Sequence, residues 1–139
     1  MNELQLKMCD IQGRLFELSA DSKYGSANFV KAFMNSEVAK ALDSTYNRMQ
    51  WAGEEYLLEE LADLTGDKLS KDGEIYSKDI LYWMGYLYRY WHYYTKEDSV
   101  KIYRQAPVVT MKRNYLMFHT MAPELAIEDL KEIYKQKRG

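Results

Sequence analysis

Residues Tyr82 to Tyr94 read YWMGYLYRYWHYY. Eight of these thirteen residues are Tyr or Trp, out of twenty aromatic residues in the whole chain. Placed on a helix over residues 78–96, the stretch divides into faces. Ile80, Met84, Leu87, Trp91 and Tyr94 fall on one side, at core spacing. Trp83, Tyr86, Tyr90 and Tyr93 make a second side that is wholly aromatic. Gly85, Arg89, His92 and Lys96 form a narrow polar strip. A helix that is apolar nearly all round is either the centre of a bundle or is covered by another molecule. Tyr and Trp combine large contact area with few rotatable bonds and a polar tip, which suits interfaces. The stretch therefore predicts an all-α fold and names a candidate partner-binding set. That set is Trp83, Tyr86, Tyr90 and Tyr93, with Arg89 and His92 at its polar margin.

The flanking sequence extends the helical reading. Leu4, Met8, Ile11, Leu15 and Leu18 recur at spacings of three and four, which predicts a first helix from about Asn2 to Ala20. Gly13 weakens it by roughly 1 kcal/mol relative to alanine without breaking it. After the turn DSKYGS, Ser26 can cap a second helix carrying Phe29, Val30, Phe33 and Met34. Ser36 either extends that helix or restarts it through Val38, Ala39 and Leu42. DSTYNRMQW, residues 43–51, reads as a connection. A helix over about 52–64 stops at Gly66, a suitable C-terminal cap. Residues 66–76 are loop-like, and Asp72-Gly73 is the one place for a short β-hairpin, near 68–76. Ser77 and Asp79 open the aromatic helix. Thr95 with Asp98 has capping-box spacing and predicts a short helix through Tyr103. Pro107 ends it, Thr110 can begin another helix to about His119, and Pro123 suits the first turn of the last. The expectation is one domain over residues 1–139, a bundle of about five to six helices.

Composition bounds the function. The chain of 139 residues is 47 % hydrophobic and 29 % charged, with a net charge of −2. That charge gives no general pull toward nucleic acid or acidic lipid. The basic C-terminal end (Lys131, Lys135, Lys137, Arg138) matches the cations that a helix C-terminus favours. No stretch approaches the roughly 18 continuous apolar residues of a membrane span. The opening MNELQLKMCD lacks the basic-then-apolar order of a signal peptide. Cys9 is the single cysteine and suits a reducing compartment, so a cytoplasmic protein is expected.

Several constellations bear on chemistry. Glu54, Glu55, Glu59, Glu60 and Asp63 give one helix an acidic face, either solvated or waiting for a basic partner. A di-metal bundle needs inward Glu-x-x-His pairs. Neither His92 nor His119 has a Glu three residues before it, so no metal and no cofactor is expected. SEVAKALDSTYNRMQW has an outline of helix-turn-helix, yet Arg48 is nearly its sole base-reading candidate, which disfavours nucleic acid as the partner. Arg113-Asn-Tyr-Leu-Met-Phe-His119 resembles the Arg-x4–6-His motif of HEPN ribonucleases, small helical bundles. That resemblance implies a metal-independent ribonuclease whose Arg113 and His119 act on RNA phosphate across a dimer. The alternative is a His at a helix end, where the helix dipole favours its charge, and a solvent-facing Arg. No glycine-rich phosphate loop and no GxSxG are present.

Three segments together carry a wider resemblance: NRMQWAGEEYLLEEL (47–61), YRYWHYYTKEDSVKIYRQA (88–106) and FHTMAPELAIEDLKEIY (118–134). They resemble a family of small helical bacterial proteins found near ADP-ribosyltransferase-like toxin candidates. The resemblance implies an accessory or antitoxin role and no catalytic residues. The leading expectation is thus a non-enzymatic domain that binds a protein through the aromatic helix. The HEPN-like ribonuclease and a structural homodimer are the alternatives.

Overall fold

A computed structural model describes residues 1–45 and 47–138, apart from the side chain of Asp67. Tyr46, inside the expected connection at 43–51, lies outside the described residues. The described chain is all-helical, with eight α-helices rather than the expected five to six, because caps at Ser36 and Asp98 and the break at Pro107 divide the chain into short helices. They are α1 (Glu3–Asp21), α2 (Ser26–Met34), α3 (Glu37–Asp43), α4 (Glu54–Thr65), α5 (Lys78–Thr95), α6 (Ser99–Gln105), α7 (Val108–Phe118) and α8 (Pro123–Arg138). Short 3-10 turns occupy Arg48–Trp51 and Gly66–Lys68.

Local signals explain most of these bounds. Asn2 caps α1, accepting from the Gln5 amide at 2.8 Å, while the Gln5 side chain accepts from the Asn2 amide at 3.2 Å. Ser36 accepts from the Ala39 amide at 3.2 Å, so the chain restarts as α3 rather than extending α2. Ser77 caps α5. At its far end Lys96 turns left-handed, with φ of 67°. That turn displaces the expected start of the next helix. Thr95 closes α5 by donating to the Trp91 carbonyl, and Asp98 caps α6 by accepting from the Lys101 amide at 2.9 Å. Pro107 serves as the cap of α7, which therefore begins at Val108, before Thr110.

The hairpin expected near 68–76 is absent among the described residues, because the loop bonds elsewhere. The Ser70 carbonyl accepts from the Gly25 amide and the Glu74 carbonyl from the Ser26 amide, both at 2.9 Å. The Ser26 hydroxyl accepts from the Tyr76 amide at 2.8 Å. The loop is a strap pinned across the start of α2, held down by buried Leu69 and Tyr76. Gly73, at φ of 94°, supplies its turn.

α5 runs through the centre, against α1, α6, α7 and α8. Its closest neighbour is α1. Gly85 lies so near α1 that a Cβ there would sit 2.4 Å from the Gln12 carbonyl oxygen. Gly13 makes room in turn for the ring of Tyr82. The residue that weakens α1 on its own is thus what allows the two helices to approach. The buried face of α1 includes Met8, Cys9, Leu15 and Phe16, whereas Leu4 is exposed and Ile11 and Leu18 are half-buried. Phe16 meets Phe29 and Phe33 edge-on at 5.3 and 5.4 Å, joining α1 to α2. Leu81, Met84, Leu87, Tyr88 and Trp91 supply the α5 side of the core. Tyr94 does not join them: it is 42 % exposed, and its hydroxyl donates to Glu128 at 2.9 Å.

Candidate functional site

The four rings of the aromatic side are all half-buried. Trp83 meets Tyr115 of α7 edge-on at 5.6 Å. Tyr86 lies between Tyr82, at 5.9 Å, and Tyr90, at 6.2 Å, so three tyrosines form a ladder along α5. The Tyr90 hydroxyl donates to Glu124 of α8 at 2.6 Å. Burial and that hydrogen bond push the Tyr90 hydroxyl up to about 12, and the same bond pulls Glu124 below the usual carboxylate range. Tyr93 packs edge-on against His92 at 5.1 Å. Neighbouring helices therefore cover the stripe in part.

What they leave is an open groove of about 880 Å³ between α1, α5 and the end of α7. Tyr82, Trp83, Tyr86, Tyr115 and His119 line it with rings. Asp10, Arg14, Glu17 and Asp79 supply its charge. The Tyr82 hydroxyl donates to Asp10 Oδ1 at 2.5 Å, and Arg14 Nε sits 3.0 Å from Asp10 Oδ2. Burial and the Asp10 carboxylate raise the Tyr82 hydroxyl well above the ordinary phenol value. Burial also raises the Glu17 carboxyl; Lys78 and Arg14 oppose that rise, and Asp79 and Asp10 add to it. Asp10, Arg14 and Glu17 were not singled out from the sequence. Their signal was present as a polar strip at spacings of four and three on α1.

The expected contact set separates. Trp83 and Tyr86 line the groove, and Tyr90 continues the ladder toward α8. His92 and Tyr93 face a different cavity of about 480 Å³, with Asp43 and Lys96. Arg89 is not at a polar margin: it is 1 % exposed. Its Nε donates to Gln12 Oε1 and its Nη1 to Asp43 Oδ1, both at 2.7 Å. Asp43 also accepts from the Ser99 amide and hydroxyl, each at 2.8 Å. Gln12 Nε2 donates onward to the Gly85 carbonyl at 3.0 Å. A buried cation is tolerated when it is paired and fully hydrogen-bonded, and these partners from α1, α3 and α6 meet that condition. Arg89 thus ties four helices together and is not presented to a partner.

His92 Nδ1 lies 2.7 Å from the Glu97 carbonyl oxygen. Burial and the Arg89 cation lower its pKa, against the pull of the Glu97 carbonyl and Asp43. Glu97 in turn accepts from Lys131 at 2.6 Å, Trp91 at 2.9 Å and Gln105 at 3.0 Å, which anchors α8.

His119 stacks flat on Tyr115, with ring centres 4.4 Å apart, and its Nδ1 lies 2.8 Å from the Tyr115 carbonyl oxygen. Arg113 is exposed and does not line the groove. A separation of six residues turns the two side chains roughly 120° apart around a helix. Cys9 is buried, and burial pushes its thiol up to about 12, far from the thiolate form that nucleophilic chemistry uses. Among the described residues no three His, Cys, Asp or Glu gather into a metal-ligating group, and no helix is long and apolar enough to cross a membrane. Comparison with protein-family models, with curated proteins and with solved structures returned no match.

Proposed function

We propose that this chain is a non-enzymatic protein-binding domain that takes its partner in the groove between α1, α5 and α7. The observation that carries the reading is the Tyr82–Tyr86–Tyr90 ladder with Trp83, half-covered by its own chain. Tyrosine and tryptophan anchors beside a preformed groove are what protein interfaces draw their energy from. Affinity then rests on a few rings and not on total contact area. The described residues that line the groove include no Ser, Thr or Cys, which favours binding over catalysis. At its finest grain the proposal takes up the implied antitoxin role, with a toxin encoded beside this chain as the occupant. The ribonuclease alternative draws less support, because Arg113 and His119 do not share the groove.

The test is complex formation with the products of adjacent genes, for wild type and for Tyr86→Ala. Tyr86 makes ring contacts only, so its removal leaves the hydrogen bonds of Tyr82 and Tyr90 in place. Loss of the complex with unchanged circular dichroism supports the reading. A complex of undiminished affinity with folded Tyr86→Ala refutes it.

A further inference from the structure

The groove is net acidic as well as aromatic: Asp10, Glu17 and Asp79 stand against Arg14. Asp10 is already engaged by Arg14 and by the Tyr82 hydroxyl. Glu17 and Asp79 stand at the same groove, and among the described residues neither forms an ion pair or a side-chain hydrogen bond. The rings of Tyr82, Trp83 and Tyr86 line the same groove. An aromatic face carries partial negative charge, so it attracts a cation lying over it, and a carboxylate beside the ring adds to that pull. Guanidinium suits this arrangement better than ammonium, because it is planar, weakly hydrated and stacks on rings while its N–H groups reach a carboxylate. The shape narrows the occupant further. A pocket for a small organic cation encloses most of its ligand. This groove is open along its length, which suits an extended segment.

Resting on the docking reading above, we propose that the partner enters as an arginine-bearing segment whose guanidinium groups stack on the Tyr82/Tyr86 rings and pair with Glu17 and Asp79. Charge complementarity selects arginine over an apolar anchor. The acidic face of α4 offers carboxylates without such a ring-lined groove, so it serves as the control for non-specific attraction.

The probe is a fluorescein-labelled decapeptide carrying two arginines among alanine and serine. Its neutral counterpart replaces both arginines with citrulline, which keeps the planar shape and removes the charge. Fluorescence polarisation reads both peptides against the full chain. The arginine peptide is expected to bind at least about tenfold tighter than the citrulline peptide, a ratio equal to about 1.4 kcal/mol. Glu17→Gln with Asp79→Asn is expected to remove most of that preference, and Glu59→Gln with Asp63→Asn, which line no cavity with the groove residues, to leave it unchanged. Equal affinity for the two peptides overturns the inference, as does no binding of the arginine peptide at millimolar concentration. An α4 variant that loses as much as the groove variant also overturns it. Both groove substitutions keep side-chain size, at exposed Asp79 and half-buried Glu17, and circular dichroism checks the fold. Tyr86→Ala separates the two proposals. If it abolishes binding of both peptides while charge makes no difference, the groove remains a docking site and only the arginine inference falls. If the arginine peptide binds Tyr86→Ala as tightly as wild type, the arginine inference falls, and the docking reading is decided by the complex with the adjacent gene products.

Discussion

Replacing Gly85 with alanine adds one carbon where α1 and α5 are closest. That carbon would stand 2.4 Å from the Gln12 carbonyl oxygen and 2.9 Å from Gly13 Cα. Ordinary contact begins near 3.4 Å, so the helices must part by about 1 Å. Both opposing atoms are backbone, so neither can swing aside. Overpacking of this kind costs about 1–3 kcal/mol. Parting the helices also stretches the bond from Gln12 Nε2 to the Gly85 carbonyl, now 3.0 Å. Leaving the buried Gln12 amide unpaired adds about 1–3 kcal/mol, while the Gly85 carbonyl keeps its helical bond. Against this, alanine gains about 1 kcal/mol over glycine within a helix. The net expectation is a loss of about 3 kcal/mol, or about 10 °C in Tm for a chain of this length. Urea unfolding followed by far-UV circular dichroism measures it. Gly13→Ala makes the comparison, because its Cβ would first meet the Tyr82 ring, at 2.7 Å, a side chain that can turn. It should cost less. Gly85→Ala unfolding within about 0.5 kcal/mol of wild type, as an unremarkable surface change would, refutes the close-approach argument.

Two further outcomes follow from the buried polar groups. Arg89→Met should destabilise the fold by about 3–5 kcal/mol, since it leaves Asp43 without its buried counter-charge. Urea midpoints of Arg89→Met and of Arg89→Met with Asp43→Leu check this, and the double variant should recover part of the loss. Glu97 gives the acid limb. Burial pushes its carboxyl up, but hydrogen bonds from Lys131, Trp91 and Gln105 outweigh burial and hold it down at about 2, against an ordinary 4.5. The unfolded chain therefore takes up this proton first, and the stability that Glu97 contributes is fully present above about 4.5 and lost as pH falls toward 2. Urea midpoints measured down this range should fall less steeply for Glu97→Gln than for wild type.

The fold class was legible because helical signals are local. The bounds of α5, the start of α8 at Pro123 and the stop of α4 at Gly66 each follow from residues within one turn of the boundary. The hairpin misreading has the opposite cause. Asp72-Gly73 does make a turn, but the backbone groups beside it bond to Gly25 and Ser26, about fifty residues earlier, and no local pattern encodes that pairing. Arg89 shows the same limit. Its helical position assigned it to a polar strip, while its partners Gln12, Asp43 and Ser99 come from three other helices. The one available hint was Gln12, a polar residue interrupting the buried face of α1. The candidate groove was half legible. Its rings stood out as an excess on α5, whereas the carboxylates of α1 acquire meaning only once α1 lies beside them.

The pairing of α1 with α5 also sets a clock on synthesis. Gln12 and Arg89, which bond in the finished domain, are 77 residues apart in sequence. At roughly 5–20 residues per second, a ribosome takes about 4–15 s to travel between them. For that interval Met8, Leu15 and Phe16 have emerged, or begun to emerge, without α5, which completes their burial. α1 is thus made well before its main packing partner, and the nascent chain is most exposed to aggregation before α5 leaves the ribosome.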